Sequence, residues 1–325
     1  MPDAATTDWL LDSDPALRWQ VERDLLGAPE QVWGATRAKV PAEGFGARLL
    51  AHQDPDGQWA GGAYFPADWD WGGPEAQAGS QPWTATSWSL DALREWGVDA
   101  AELGDTAQRL AANSRWDSDD RPYWAGEVDC CVNASVLSCG LWLGADVDGL
   151  VDWFLEHRMP DGGWNCEWVN GSVVSSFHST LGALRALLDY ERATGDRDRV
   201  RGARHSGAEY LLARGLLHRA STGGLVGPWA VHLTYPHRWQ YSVLDAAHHL
   251  RAAALHDGTP PDPRMSEAVE MLRTRCGADG RWLQDGPHPG RVWFDVDVPA
   301  GEPSRWLTLR ATAVLDWWDG ERGRG

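Results

Sequence analysis

The tetrad Asp-Gly-x-Trp occurs three times, ending at Trp59, Trp164 and Trp282, within the stretches QDPDGQW, MPDGGWNCEW and CGADGRW. One turn-like word recurring over long intervals marks a repeat architecture, in which each unit buries its apolar face against the next. The glycine permits a backbone with φ > 0 that reverses the chain, and the indole is large enough to fill a seam between neighbouring helices. All three tryptophans are therefore expected to be structural anchors.

Between the turns the apolar residues follow helical spacing: Leu150, Val151, Phe154 and Leu155 share one stripe, and Phe177, Leu181, Leu184 and Leu188 another. Strand-like alternation is nearly absent. Start and stop residues place helices near 14–26, 43–53, 84–96, 101–113, 130–143, 147–158, 176–192, 203–214, 238–254, 265–275 and 305–318. They fall into pairs, each a helix, a Gly/Trp loop and a second helix. The second helices open with similar words: QPWTATSWSLDAL, VDCCVNASVLSCG, SSFHSTLGALRAL, HRWQYSVLDAAHHL and SRWLTLRATAVL. Their Ala, Ser, Gly and Cys content suits helices crowded on both sides. The expectation is an all-α chain forming one α/α toroid, a closed ring of five to six helix pairs around a central cavity. Residues 1–325 make a single domain on this expectation, with 1–41 as added N-terminal helices and 42–320 as the repeats.

A formal charge of −18 argues against nucleic acid and anionic membranes, which need clustered positive charge on their partners. No stretch reads as a signal sequence or an integral membrane segment, so a cytoplasmic protein is expected. Five cysteines are too sparse and uneven for a disulfide framework in such a chain, leaving reduced thiols or metal ligands. There are 22 tryptophans, so the chain is either densely packed with rings or lined by them. No nucleophile-elbow Gly-x-Ser-x-Gly and no glycine-rich phosphate loop is present.

With its Asp-Gly-x-Trp turns after the first helix of each pair, the chain resembles the repeats of squalene-hopene cyclases and of protein prenyltransferase β subunits, both α/α toroids. The likeness covers about residues 42–320. Gln53 keeps the glutamine of the full repeat word, whereas Arg158 and Cys276 stand at that place in the other two. The resemblance implies an enzyme of isoprenoid chemistry, a transferase or a cyclase, acting on an apolar small molecule in the central cavity.

It also implies a site. The prenyltransferases hold zinc with an Asp-x-Cys opening one second helix and a histidine opening a later one, and Asp129, Cys131 and His178 stand at matching places. Cys166, beside the Gly-Gly-Trp turn, is a further thiol within the candidate set. Cysteine, histidine and carboxylate are zinc's usual ligands, and zinc activates a bound thiolate or water near neutral pH. The bland alternative makes Asp129 a helix cap, Cys131 a buried small residue and His178 a packed first-turn residue.

A class II cyclase would use Asp129 as proton donor instead. The literal Asp-x-Asp-Asp word at 117–120 sits in a polar loop, where carboxylates ionise in the acid range. Trp83, Trp124, Trp168, Phe177, Trp239 and Tyr241 are the candidate aromatic walls, able to stabilise cations by ~0.5–2 kcal/mol each. Arg238 and Arg305, in Arg-Trp words at expected helix starts, are the candidate substrate-rim cations. A competing class is a glycan-active or non-catalytic binding toroid, with tryptophans stacking on sugars and carboxylates paired across a cleft. Oligomeric state leaves no trace in the sequence.

Overall fold

A computed structural model describes residues 3–116 and 119–322, so Asp117 and Ser118 of the Asp-x-Asp-Asp word lie outside the described residues. Among the described residues the chain is helical, and the only extended pairings are isolated bridges. The helices are α1 (Ala4–Leu11), α2 (Pro15–Asp24), α3 (Glu30–Arg37), α4 (Gly44–Leu50), α5 (Pro74–Gln77), α6 (Thr86–Trp96) and α7 (Thr106–Asn113). They continue as α8 (Cys130–Leu143), α9 (Asp148–Glu156), α10 (Phe177–Thr194), α11 (Arg197–Leu212), α12 (Val243–Asp257), α13 (Ser266–Thr274) and α14 (Arg305–Arg322). None is long and apolar enough to cross a membrane.

The described residues form two compact units, one within 37–207 and 288–295, the other within 3–36, 208–287 and 296–322. In the first, α8 packs between α6 and α10. Helix α8 is buried on several faces at once, through Val132, Asn133, Ala134, Val136, Leu137 and Cys139. Its small residues allow this, and an added Cβ at Gly182 of α10 would come within 3.5 Å of Ala134. In the second unit α14 packs against α12, α13 and α2.

The three Asp-Gly-x-Trp turns are built alike. Gly57, Gly162 and Gly280 take φ of +93°, +104° and +76°, the left-handed region where a Cβ is costly. Each turn closes when the residue five before the tryptophan donates to the carbonyl just before it: Asp54 to Gln58, Met159 to Gly163 and Gly277 to Arg281, all at 2.8 Å. Each indole Nε1 then donates to a carbonyl ten residues back on the first helix of the pair, Leu49, Phe154 or Leu272, at 2.8–2.9 Å. Each tryptophan backbone N–H donates at 3.1 Å to a threonine in the opening turn of the second helix, Thr86, Thr180 or Thr308. The indole therefore ties both helices of its pair, and all three rings are at most 3% exposed.

Two second helices begin later than the sequence suggests. Helix α12 starts at Val243 rather than 238, because Ser242 caps it by accepting from the Asp245 N–H at 3.1 Å. Arg238, Trp239 and Tyr241 consequently lie before the helix. Helix α6 starts at Thr86 rather than 84. Residues 1–41, expected to add helices before the repeats, hold α1, α2 and α3, of which the helix placed near 14–26 is α2; α1 is started by Asp3, whose carboxylate accepts from the Thr6 N–H at 2.7 Å.

Candidate functional site

The opening turns of α8 and α10, and the 3-10 turn Cys166–Asn170 that follows Trp164, bring their polar side chains together in the first unit. Cys131 Sγ lies 3.4 Å from Cys166 Sγ, although 35 residues separate them in sequence. Ser179 of α10 donates its hydroxyl to Cys166 Sγ at 3.3 Å and accepts the Cys166 N–H at 3.1 Å. Ser176, the cap of α10, donates to Ser179 Oγ at 2.9 Å, so a short hydroxyl chain ends on the Cys166 sulfur.

Asp129 occupies the cap position of α8, but its carboxylate makes no capping bond. Asn133 takes over the local backbone instead, accepting from the Glu127 N–H and donating to the Glu127 carbonyl, both at 2.7 Å. This requires glycine at 126, with φ +70°, since a Cβ there would fall 2.3 Å from Asn133 Oδ1. Not used for capping, the half-buried Asp129 carboxyl stands near Cys166, whose thiol partly offsets the shift of its pKa. Burial raises its pKa, and the charge of Glu127 adds to the rise.

The two thiols differ in acidity. The hydrogen bond between them raises Cys131, with burial adding to it, and lowers Cys166, with help from Ser179. A thiolate at this pair therefore resides on Cys166. Cys130 donates to the Ser179 carbonyl at 3.4 Å, and burial pushes its thiol well up, so it is part of the core. His178 is pushed down to about 4 by burial and is a neutral imidazole at pH 7.

The structure thus brings together Asp129, Cys131 and Cys166. Among the described residues, no three of Asp129, Cys131, Cys166 and His178 place ligand atoms all within 4.8 Å of one another. Tyr64 and Ser179 escaped the sequence reading. The Tyr64 phenol is raised well up by burial and then by the nearby Cys131, and its ring packs tilted against Trp88 at 4.7 Å, which meets Trp83 edge-on at 4.8 Å. The available signal was position: Tyr64 follows the anchor Trp59 much as Trp168 follows Trp164.

The other expected ring and cation positions have varied surroundings. Trp168 donates to the Val128 carbonyl at 2.9 Å, joining the Cys166 turn to the approach to α8. Trp124 is buried and donates to Ala107 of α7, placing it in a helix seam. Phe177 is buried at the start of α10. In the second unit, Tyr241 is buried and donates to Leu216 at 2.7 Å, Trp239 is exposed and Arg238 half-buried. Arg305 donates to the Trp9 carbonyl at 2.9 Å, which fastens α14 to α1. A cavity of about 340 Å³ beside Phe65, Trp69, Trp71, Asn113 and Arg115 includes none of the sulfur or carboxylate groups above.

The second unit holds a different acid. Asp297 accepts from Ser304 Oγ at 2.6 Å and Gln284 Nε2 at 3.2 Å, yet burial raises its pKa to about 6. Because the folded pKa lies above the unfolded value near 3.8, the folded state keeps its proton through a range where the unfolded chain has lost it. The associated stability is fully present below about pH 4 and is lost as pH rises through about 6, on the order of 3 kcal/mol in all. Asp297→Asn is expected to stabilise the protein more at pH 7.5 than at pH 4.5. Equal gains in melting temperature at the two pH values would refute that assignment.

No family model, curated protein or solved structure matches the chain.

Proposed function

We propose that the first unit carries a zinc–thiolate site, held by Cys131 and Cys166 with Asp129 and His178 as the further ligands, acting on an apolar isoprenoid-like molecule. The carrying observation is the 3.4 Å approach of two sulfurs, one in the first turn of α8 and one in the Cys166 turn, with the Asp129 carboxyl near them. The donor set fits zinc in kind, with two thiols, a carboxyl and an imidazole that is neutral at pH 7. It fits in place for the sulfurs, since tetrahedral zinc with ~2.3 Å bonds holds two sulfurs roughly 3.8 Å apart. The remaining ligands must come in by side-chain rotation.

Zinc bound there would supply a Lewis acid and a stabilised thiolate near neutral pH. The chain's own residues perform the rest. Ser179 donates to Cys166 and fixes its sulfur. The Asp129 carboxyl stands near the same sulfur. Tyr64, Trp83 and Trp88 form an aromatic cluster near the thiols, a surface that favours an apolar chain and a developing cation. The ring of helix pairs expected from the repeats frames this proposal, which rests only on the first unit.

Protonation-initiated cyclisation by Asp129 fits less well. Burial helps Asp129 keep the proton such a donor needs, but the two thiols beside it are ligands of zinc in kind and no part of a proton donor. Elemental analysis of untagged protein is expected to find near-stoichiometric zinc, lost in Cys131→Ser and Cys166→Ser but kept in Trp71→Ala. A farnesol titration followed by tryptophan fluorescence is expected to saturate. Absence of zinc both after purification and after zinc addition would overturn the metal site, and a flat titration would overturn the apolar ligand.

A further inference from the structure

We infer that Cys131 and Cys166 form a redox-active pair that exchanges with small-molecule disulfides and closes to a protein disulfide. The inference uses the same two sulfurs as the proposed zinc site but needs no metal, and bound zinc would compete with it.

Geometry carries it. A disulfide requires its sulfurs at ~2.05 Å, so the observed 3.4 Å must shorten by about 1.4 Å as the bond forms. Both residues are partly accessible, whereas Cys130 and Cys139 are buried. Cys130 is also turned away, onto the Ser179 carbonyl, and Cys139 onto Asp91. Adjacent in sequence, Cys130 and Cys131 thus have opposite surroundings. The Cys166 turn is anchored at Trp164 and by the Cys166 N–H to Ser179, so the approach of the sulfurs is built into the loop.

Ser179 assigns the roles. Its hydroxyl points at Cys166 Sγ and can stabilise negative charge there, while the bond recorded for Cys131 Sγ among the described residues is the one to Cys166. The Cys166 thiolate, its proton released to solvent, attacks one sulfur of a small disulfide such as oxidised glutathione. A Cys166–glutathione bond forms, the glutathione S–S bond breaks and one glutathione thiolate leaves. Cys131 then loses its proton and attacks the Cys166 sulfur, forming the Cys131–Cys166 bond and expelling the second glutathione thiolate. Two cysteine thiols are oxidised and one disulfide is reduced to two thiols.

The test uses the full-length chain, one portion chelator-treated and one zinc-loaded, each incubated with oxidised glutathione. The chelator-treated protein is expected to lose about 2 Da and two of its five free thiols, with peptide mapping joining residues 131 and 166. Cys131→Ser is expected to accumulate a stable glutathione adduct on Cys166, and Cys166→Ser to form neither adduct nor bridge. Metal analysis of the same samples separates the two proposals, because a disulfide formed in protein that never binds zinc supports the pair and removes the metal site. Five unreacted thiols after chelation, or a bridge mapped to another pair, would overturn the inference.

Discussion

Arg204→Met is expected to destabilise the first unit by about 3–5 kcal/mol, the largest loss from a single charged residue here. Arg204 of α11 and Glu191 of α10 form a bidentate pair, Nε to Oε1 at 2.9 Å and Nη2 to Oε2 at 3.0 Å, with side chains 2% and 0% exposed. Removing one partner leaves the other charge in a place that water does not reach, and that uncompensated charge dominates the cost. The double substitution Glu191→Leu with Arg204→Met should recover most of the loss. Arg264 and Glu209 make the same forked contact at 2.7 and 2.9 Å, but with side chains 41% and 59% exposed. For Arg264→Ala the expected cost is therefore under about 1 kcal/mol. Urea melts of these variants check the ranking, and an Arg204→Met loss no larger than that of Arg264→Ala would refute it.

Sequence reading could find the turns but not this ion pair. Asp-Gly-x-Trp carries its structure locally: a glycine at a fixed place, and an indole that can reach a carbonyl ten residues back. Nothing local sets Arg204 apart from its arginine-rich surroundings, because its burial is decided by packing against α10. The same divide runs through the candidate site. Asp129, Cys131 and His178 stand out in the sequence only through the resemblance to zinc-binding repeats, and Cys166 only as the thiol beside the Gly-Gly-Trp turn. Ser179 was hidden as one of several serines in SSFHSTL, although its contacts fix the Cys166 turn. Asp129 looked like a cap, and only the backbone path shows Asn133 holding the loop and leaving the carboxyl to the thiol. Before α12, the rings of HRWQY ran into the helical pattern, and the boundary fell to a Ser242 cap that periodicity does not weigh.

Trp164→Ala is expected to cost about 3–5 kcal/mol, a loss matched only by burial this complete. Its ring is 0% exposed, meets Phe154 of α9 edge-on at 6.2 Å, and lies so close to α11 that a Cβ at Gly207 would come within 2.7 Å of it. Truncation leaves a cavity that three helices must close, and it strands the Phe154 carbonyl that the indole satisfies at 2.8 Å. Trp164→Phe separates these terms by keeping a ring while losing the donor, with an expected cost nearer 1–2 kcal/mol. Trp71→Ala, at a ring 65% exposed, should lie within about 0.5 kcal/mol of the parent. Because Trp59 repeats the bond to the first helix and the threonine contact, Trp59→Ala should fall in the same range as Trp164→Ala. Should both anchors prove no more sensitive than Trp71 in urea melts, the tetrad would not be a structural clasp. Its recurrence would then have to reflect a ligand that the indoles contact.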